Sequence, residues 1–195
     1  MKTPAPFLCA ILFFSFFSFA YGQHRWSAEF RPNVNFPTTT FDRSDLTPGF
    51  GFEAAIEYQF MPRLGAYAGW GYNAFTPDDS DVDGIQPRDI DLTGYTFGLQ
   101  FIHPIRGSSL SYLIRVGGIY SHIEVENEDG DVIADSGHGL GWEIGAGLQL
   151  DLGRKWYLRP QLGYRALSRD LEYGRITSDV DLKYISLGVG IAKGF

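Results

Sequence analysis

The chain has almost no cysteine. Its one thiol, Cys9, lies inside an apolar stretch near the start, and everything after it is thiol-free. That excludes a disulfide framework, a cysteine metal centre and a thiol nucleophile. Cys9 sits within the apolar core rather than just behind it, which argues against a lipid-modified anchor. Long hydrophobic runs are absent as well: beyond residue 20 no stretch approaches the 18 apolar residues that a spanning helix needs. Positive charge is scarce, with 16 Lys and Arg against 23 Asp and Glu and a net charge of -7, so a nucleic-acid partner is not expected.

What is present begins with a leader. Lys2 supplies a short positive region, "FLCAILFFSFFSFA" (7–20) an apolar core, and Ala20-Tyr21-Gly22 a small-x-small site. The pattern predicts a secretory signal peptide over 1–22, cleaved before Gln23, and one domain over 23–195. The apolar core is too short for a comfortable membrane anchor. A chain that leaves the cytoplasm without disulfides must be stabilised in another way.

The mature chain is rich in glycine (24) and aromatics (16%), which favours an all-β fold. Eight segments alternate with period two: 25–36, 49–60, 64–75, 92–101, 109–122, 139–150, 156–168 and 182–195. Each is about 10 residues or longer, the length a tilted strand needs to cross a bilayer. In 49–60 one parity carries Phe50, Phe52, Ala54, Ile56, Tyr58 and Phe60. In the last segment it carries Ile185, Leu187, Val189 and Ile191. The opposite parity is not an ordinary wet surface. It mixes glycines, such as Gly69, Gly71, Gly117 and Gly145, with ions. A soluble sandwich or lipocalin-like barrel would place larger apolar residues there. An apolar exterior with aromatic ends and a small polar interior is the pattern of a transmembrane barrel.

The connections alternate in length. "MPR" (61–63), "HPIRGS" (103–108) and "GRK" (153–155) are short. The stretches 37–48, 76–89, 127–138 and 172–180 are long and polar, and 76–89 and 127–138 with the flanking Glu126 carry -4 and -5. Short periplasmic turns and long outer loops predict an eight-stranded antiparallel up-and-down transmembrane β-barrel. Both termini are expected in the periplasm, with the first strand paired to the last because no sheet edge can face lipid.

The last strand ends in Phe195. With Gly190, it matches the terminal pattern by which outer-membrane barrels are recognised for insertion. Lys193 departs from that pattern, where an apolar or aromatic residue is usual. On this architecture and this terminus, the mature chain resembles the small eight-stranded outer-membrane barrels, the OmpA/OmpX-like family. The resemblance implies a bacterial outer-membrane location, contact with the lipid bilayer and lipopolysaccharide, and assembly by the barrel-assembly machinery through the C-terminal strand. No cofactor is implied.

The inward parity holds Glu29, Glu53, Glu57, Glu143 and Asp151, and Arg31, Arg115, Arg159, Arg165 and Arg169. Buried ions need partners, and guanidinium forks suit carboxylates. An ion-paired, plugged interior is therefore expected; a gated pore whose pairs switch is the alternative. In "DSDVDG" (79–84), Asp79, Asp81 and Asp83 have calcium-loop spacing, but Ile90 stands where the closing glutamate belongs, so only a weak divalent site is read there. Some barrels of this kind modify lipid A, so an enzyme must be weighed. Ser121 and His122 are the one Ser–His neighbour pair in a strand segment, and alternation turns them to opposite faces. The sequence thus predicts a non-enzymatic barrel with a structural or surface-interaction role; a lipid-A-modifying enzyme or a small gated channel are the other readings.

Overall fold

The computed structural model describes residues 25–39, 45–78, 89–126, 132–173 and 176–195. The leader expected over 1–22 and the stretch bearing Asp79, Asp81 and Asp83 lie outside the described residues.

Among the described residues eleven strands follow in order: β1 (Trp26–Pro37), β2 (Asp45–Leu46), β3 (Gly49–Gln59), β4 (Leu64–Phe75), β5 (Pro77–Asp78), β6 (Asp89–Pro104), β7 (Leu110–Glu126), β8 (Val132–Asp135), β9 (Gly139–Gly153), β10 (Trp156–Tyr173) and β11 (Ile176–Gly194). Eight of them, β1, β3, β4, β6, β7, β9, β10 and β11, form a closed antiparallel barrel. Closure is by β11 against β1, with Ser27 opposite Gly194 and Pro37 opposite Tyr184. This is the eight-stranded barrel expected from the sequence, and closure leaves none of the eight with an open edge. β2 and β5 pair with each other. β8 pairs with the end of β7 and touches β10 at Glu172 opposite Asp135.

Outward side chains form an apolar band. Phe30, Tyr95, Val116, Leu162 and Leu187 are each more than half exposed, while Glu53 and Arg115 inside are 1% and 3% exposed. Water would punish both halves of that arrangement; hydrocarbon outside and partners inside tolerate both.

Five strands, β6, β7, β9, β10 and β11, run further than the alternating segments suggested, and on the loop side β7, β10 and β11 do so most. Most of 172–180, read as a long loop, is strand: β10 and β11 stay paired up to Tyr173 opposite Ile176. Along these extensions the polarity inverts. On β11 the outward residues change from Ile185, Leu187 and Val189 to Lys183 and Asp181, while the inward ones change from Gly188 and Ser186 to Tyr184, Leu182 and Val180. On β7, outward Ile114, Val116 and Tyr120 give way to His122 and Glu124, and inward Ile119, Ile123 and Val125 are buried. The interior is therefore not polar throughout. Its loop-side end is a packed apolar cap that includes Phe75, Ile90, Leu92, Ile123, Leu167, Leu182 and Tyr184. A strand that leaves the bilayer must show polar residues to water and bury its apolar ones, which is the soluble pattern. The switch marks where hydrocarbon ends, and Tyr72, Tyr95, Tyr120, Trp142 and Tyr164 stand near it on the outward parity, where an interfacial aromatic belt belongs.

At the opposite end the turns are tight. Between β9 and β10, Arg154 and Lys155 have φ of 52° and 65°, after Gly153 at 82°. Two central residues with positive φ define a type I′ hairpin turn, which favours Asn-Gly. Neither Arg154 nor Lys155 adopts that geometry readily. The end of β11 holds the turn: Lys193 Nζ donates to the Arg154 carbonyl at 2.7 Å and the Gly194 N–H to the Lys155 carbonyl at 2.9 Å. The Lys193 ammonium also lies over the Trp156 ring, 4.8 Å from its centre, a cation–π contact that helps to hold it at the rim. Replacing Arg154-Lys155 by Asn-Gly is expected to stabilise the barrel by about 1 kcal/mol through relief of strain, read as a higher urea midpoint in refolding from lipid vesicles. An unchanged or lower midpoint would show that the Lys193 clamp needs the native turn.

Candidate functional site

Period-two alternation puts Glu29 and Arg31 of β1, Glu53 and Glu57 of β3, Arg115 of β7, Glu143 of β9, and Arg159 and Arg165 of β10 inside the barrel, each buried. Antiparallel register then brings them to one level. Arg31 stands opposite Glu53 across β1–β3, and Arg165 opposite Glu143 across β9–β10.

Glu53 is the hub. It pairs with Arg31 at 2.8 Å, with Arg115 at 3.2 Å, and with Arg165 through Oε2. Arg165 also donates through Nε to Glu143 at 2.8 Å. Glu143 accepts from the Tyr67 hydroxyl at 2.5 Å, and Tyr67 lies face-on beneath the Arg115 guanidinium, 3.8 Å from ring centre to Cζ. Nearer the tight turns, Arg159 joins Glu29 and Glu57, each at 2.6 Å. Glu29 also faces Arg31 at 3.4 Å and Arg115 at 3.8 Å, and accepts from the Gln161 amide at 2.8 Å. Ser27 donates to Glu57 at 2.7 Å. Four carboxylates meet four guanidiniums, so the lattice is neutral.

Glycine makes room for it. A Cβ on Gly117 would come within 2.3 Å of the Tyr67 hydroxyl, and one on Gly190 within 2.7 Å of Glu29 Oε1. Gly190, singled out above for the terminal pattern, thus also has a packing reason to be glycine. Phe195 is exposed, and its N–H donates to the Trp26 carbonyl at 3.0 Å, which seats the end of the chain against the first strand.

Two of the ten inward ions stand apart. Asp151 is exposed, beside the β9–β10 turn, where its carboxylate accepts from the Gly153 N–H at 2.8 Å. Arg169 lies on the loop side of the lattice and donates to backbone carbonyls of Gly139, Leu140 and Ser168, with no carboxylate partner among the described residues. Alternation gives each of them the inward parity; their heights along the barrel separate them from the lattice. The sequence reading did not include Tyr67 and Gln161, which share the inward parity with the ions but carry no charge to draw attention.

At this level buried inward side chains crowd the lumen. Beside Arg31, Arg115, Glu143, Gln161 and Arg165 there remains a cavity of about 30 Å³, room for one or two waters. On the turn side the barrel opens into a vestibule of about 220 Å³ bordered by Arg25, Glu57, Gln100, Gln149 and Arg159. On the loop side lies the apolar cap. Ser121 faces inward and is 1% exposed, while His122 faces outward and is half-buried. A hydroxyl nucleophile activated by that imidazole is ruled out by their opposite faces.

A family model described as "Outer membrane protein beta-barrel domain" matches residues 7–192. No curated protein matches the chain in sequence. Among solved structures, Neisserial surface protein A superposes with a TM-score of 0.62 at 10% identity, over 89% of this chain and 98% of that one. The outer membrane protein OprG from Pseudomonas aeruginosa gives 0.62 at 12% identity, over 87% and 95%. The outer membrane protein AlkL gives 0.59 at 19% identity, over 91% and 93%. At such identities the likeness is one of fold.

Proposed function

Since this chain belongs to the outer membrane protein β-barrel domain family, we propose that it serves the bacterial outer membrane as a non-enzymatic barrel with a structural or surface-interaction role, closed through its middle by the ion lattice. The observation that carries this reading is the neutral, mutually bonded set of four glutamates and four arginines, with Glu53 holding three guanidiniums at once. A pore needs a continuous polar path. Here a guanidinium would have to leave its carboxylates in a low-dielectric interior before an ion could pass. The apolar cap beyond it is a second closure.

The tight turns and both termini face the periplasm in this reading, and the strand extensions with their acidic connections face outward. Lipopolysaccharide is the natural neighbour of the outer face, and the barrel-assembly machinery the reader of Gly190 and Phe195. Acidic loops beside lipid phosphates suit bridging by divalent cations.

Planar-bilayer recording tests the closure. The purified barrel is expected to show no steady open conductance; a large, stable one would reject the plug and promote the gated channel. Orientation is tested by single cysteines in the otherwise thiol-free mature chain. A cysteine at exposed Asp181 is expected to react with an impermeant maleimide on intact cells, and cysteines at Arg63 and Lys155 are not. The reverse pattern would invert the topology.

A further inference from the structure

Outside the lattice, one group of side chains among the described residues is assembled with metal-ligand chemistry. His122 and Glu124 are two apart on β7, so both face outward just beyond the hydrocarbon boundary. β8 returns alongside and sets Asp135 directly opposite Glu124. His122 Nδ1 is 3.7 Å from Glu124 Oε1 and 3.6 Å from Asp135 Oδ1, and one ligand atom from each of the three falls within 4.8 Å of the others. A tetrahedral zinc with ligand bonds near 2.1 Å holds its donors about 3.4 Å apart. The imidazole is therefore within a few tenths of an ångström of the spacing to each carboxylate that a shared ion requires, and a side-chain rotation brings the two carboxylates, within 4.8 Å of one another, onto the same ion.

Without a cation the arrangement is unfavourable. Asp91 of β6 stands opposite Glu124, which stands opposite Asp135, so three carboxylates lie in a row across three strands. Like charges directly opposite destabilise a sheet. Tyr72 donates to Asp91 at 2.8 Å, and the Gly137 N–H donates to Asp135 at 2.7 Å. Among the described residues no Lys or Arg pairs with any of the three. The imidazole is held in position rather than left to rotate: the His138 ring is stacked on it with centres 4.5 Å apart and planes 12° from parallel, and His138 leans in turn on Tyr120 at 5.2 Å. The Gly137 bond likewise fixes one oxygen of Asp135.

From this geometry we infer that His122, Glu124 and Asp135 form a binding site for a zinc-class divalent transition metal on the outer rim of the barrel. One imidazole with two carboxylates selects against calcium and magnesium, which favour all-oxygen shells. Three protein ligands leave a fourth position for water or for a donor from outside the cell. Because the ligands come from both β7 and β8, the bound ion also clamps the β8 return onto the barrel wall. His138 acts as a positioning residue through the stack.

The test uses the full mature barrel, refolded in lipid vesicles and made without a histidine tag. Zinc titration calorimetry is expected to give one site per barrel, retained in excess calcium. X-ray absorption at the zinc edge is expected to show one imidazole nitrogen with oxygen neighbours. His122→Ala should abolish the site. The near-isosteric pair Glu124→Gln, Asp135→Asn should do the same while keeping the heat-modifiable gel mobility of a folded barrel, so loss of binding is not loss of fold. His138→Ala should weaken binding roughly tenfold while leaving the zinc-edge ligand set unchanged, as expected when an outer partner orients a ligand. Absence of zinc binding in the wild type would overturn the assignment. So would zinc binding that survives His122→Ala, or that calcium displaces, since either would place the ion among acidic loops instead.

Discussion

Glu53→Ala is expected to be among the most damaging substitutions available in this barrel. It leaves three guanidiniums, those of Arg31, Arg115 and Arg165, short of a buried partner. Arg165 keeps Glu143, and Arg31 keeps Glu29 at 3.4 Å, but Arg115 is left with Glu29 at 3.8 Å and the face of Tyr67. Removing one member of a buried pair typically destabilises by about 3–5 kcal/mol, because the survivor remains charged and poorly solvated. Reversible urea unfolding from lipid vesicles should show a shift of that order. Glu53→Gln should shift less, since an amide oxygen still accepts one hydrogen bond. Glu57→Ala should shift less again, because Glu57 borders the vestibule, where water can reach Arg159. The decisive variant is the pair Glu53→Ala, Arg115→Ala. It restores neutrality with three carboxylates and three guanidiniums, so it should be more stable than Glu53→Ala alone even though it removes more atoms. Strict additivity of the two single changes would mean that the ions do not act as a coupled lattice.

How much of this could be read from the sequence depends on which physical variable encoded it. Face is encoded by parity. The residues of 49–60 and 182–195 therefore announced which side chains meet lipid, and closure of the first strand on the last followed from the rule against open edges in a bilayer. Height is not encoded by parity. Asp151 and Arg169 share the inward face with the lattice ions, and nothing in the alternation reveals that one sits beside a turn and the other beyond the bilayer. For Asp151 the neighbouring turn at 153–155 gives a hint; for Arg169 only the strand register supplies that coordinate. The inverted polarity of the extensions was hidden for a related reason. Val180, Asp181, Leu182, Lys183 and Tyr184 alternate as cleanly as any segment, but with the charges outward, so a rule tuned to an apolar exterior starts the last segment only at 182 and reads 172–180 as loop. The His122, Glu124 and Asp135 group was hidden by folding itself. His122 and Glu124 are neighbours in sequence, but Asp135 reaches them only because β8 turns back along β7, and a four-residue strand inside a polar connection leaves little periodicity to detect.

The apolar cap carries the second large effect, and it separates two accounts of the strand extensions. Phe75 is 1% exposed and meets Tyr184 edge-on with ring centres 5.2 Å apart. Phe50, on the adjacent strand β3, points the other way and is 69% exposed. If the extensions stand in water around a dry interior, Phe75→Ala opens a cavity that neither lipid nor bulk water readily fills. Burial of a phenylalanine lost to alanine typically costs about 3–5 kcal/mol, the aromatic pair included at the upper end. Phe50→Ala removes only partial contact with the interface or lipid and should cost about 1 kcal/mol or less. The order Phe75 well above Phe50 is therefore expected in urea unfolding. Hydrogen exchange should locate the damage, with amides of β10 and β11 beyond Tyr164 and Ile185 losing protection in Phe75→Ala while those around the ion lattice keep theirs. Equal costs at the two positions would mean that lipid or water already reaches both, and the cap would then be no closure. A large cost accompanied by loss of protection down to Glu53 and Arg115 would instead show the cap and the lattice unfolding as one unit, with the barrel's outer end serving as a brace for its charged middle rather than as a separate lid.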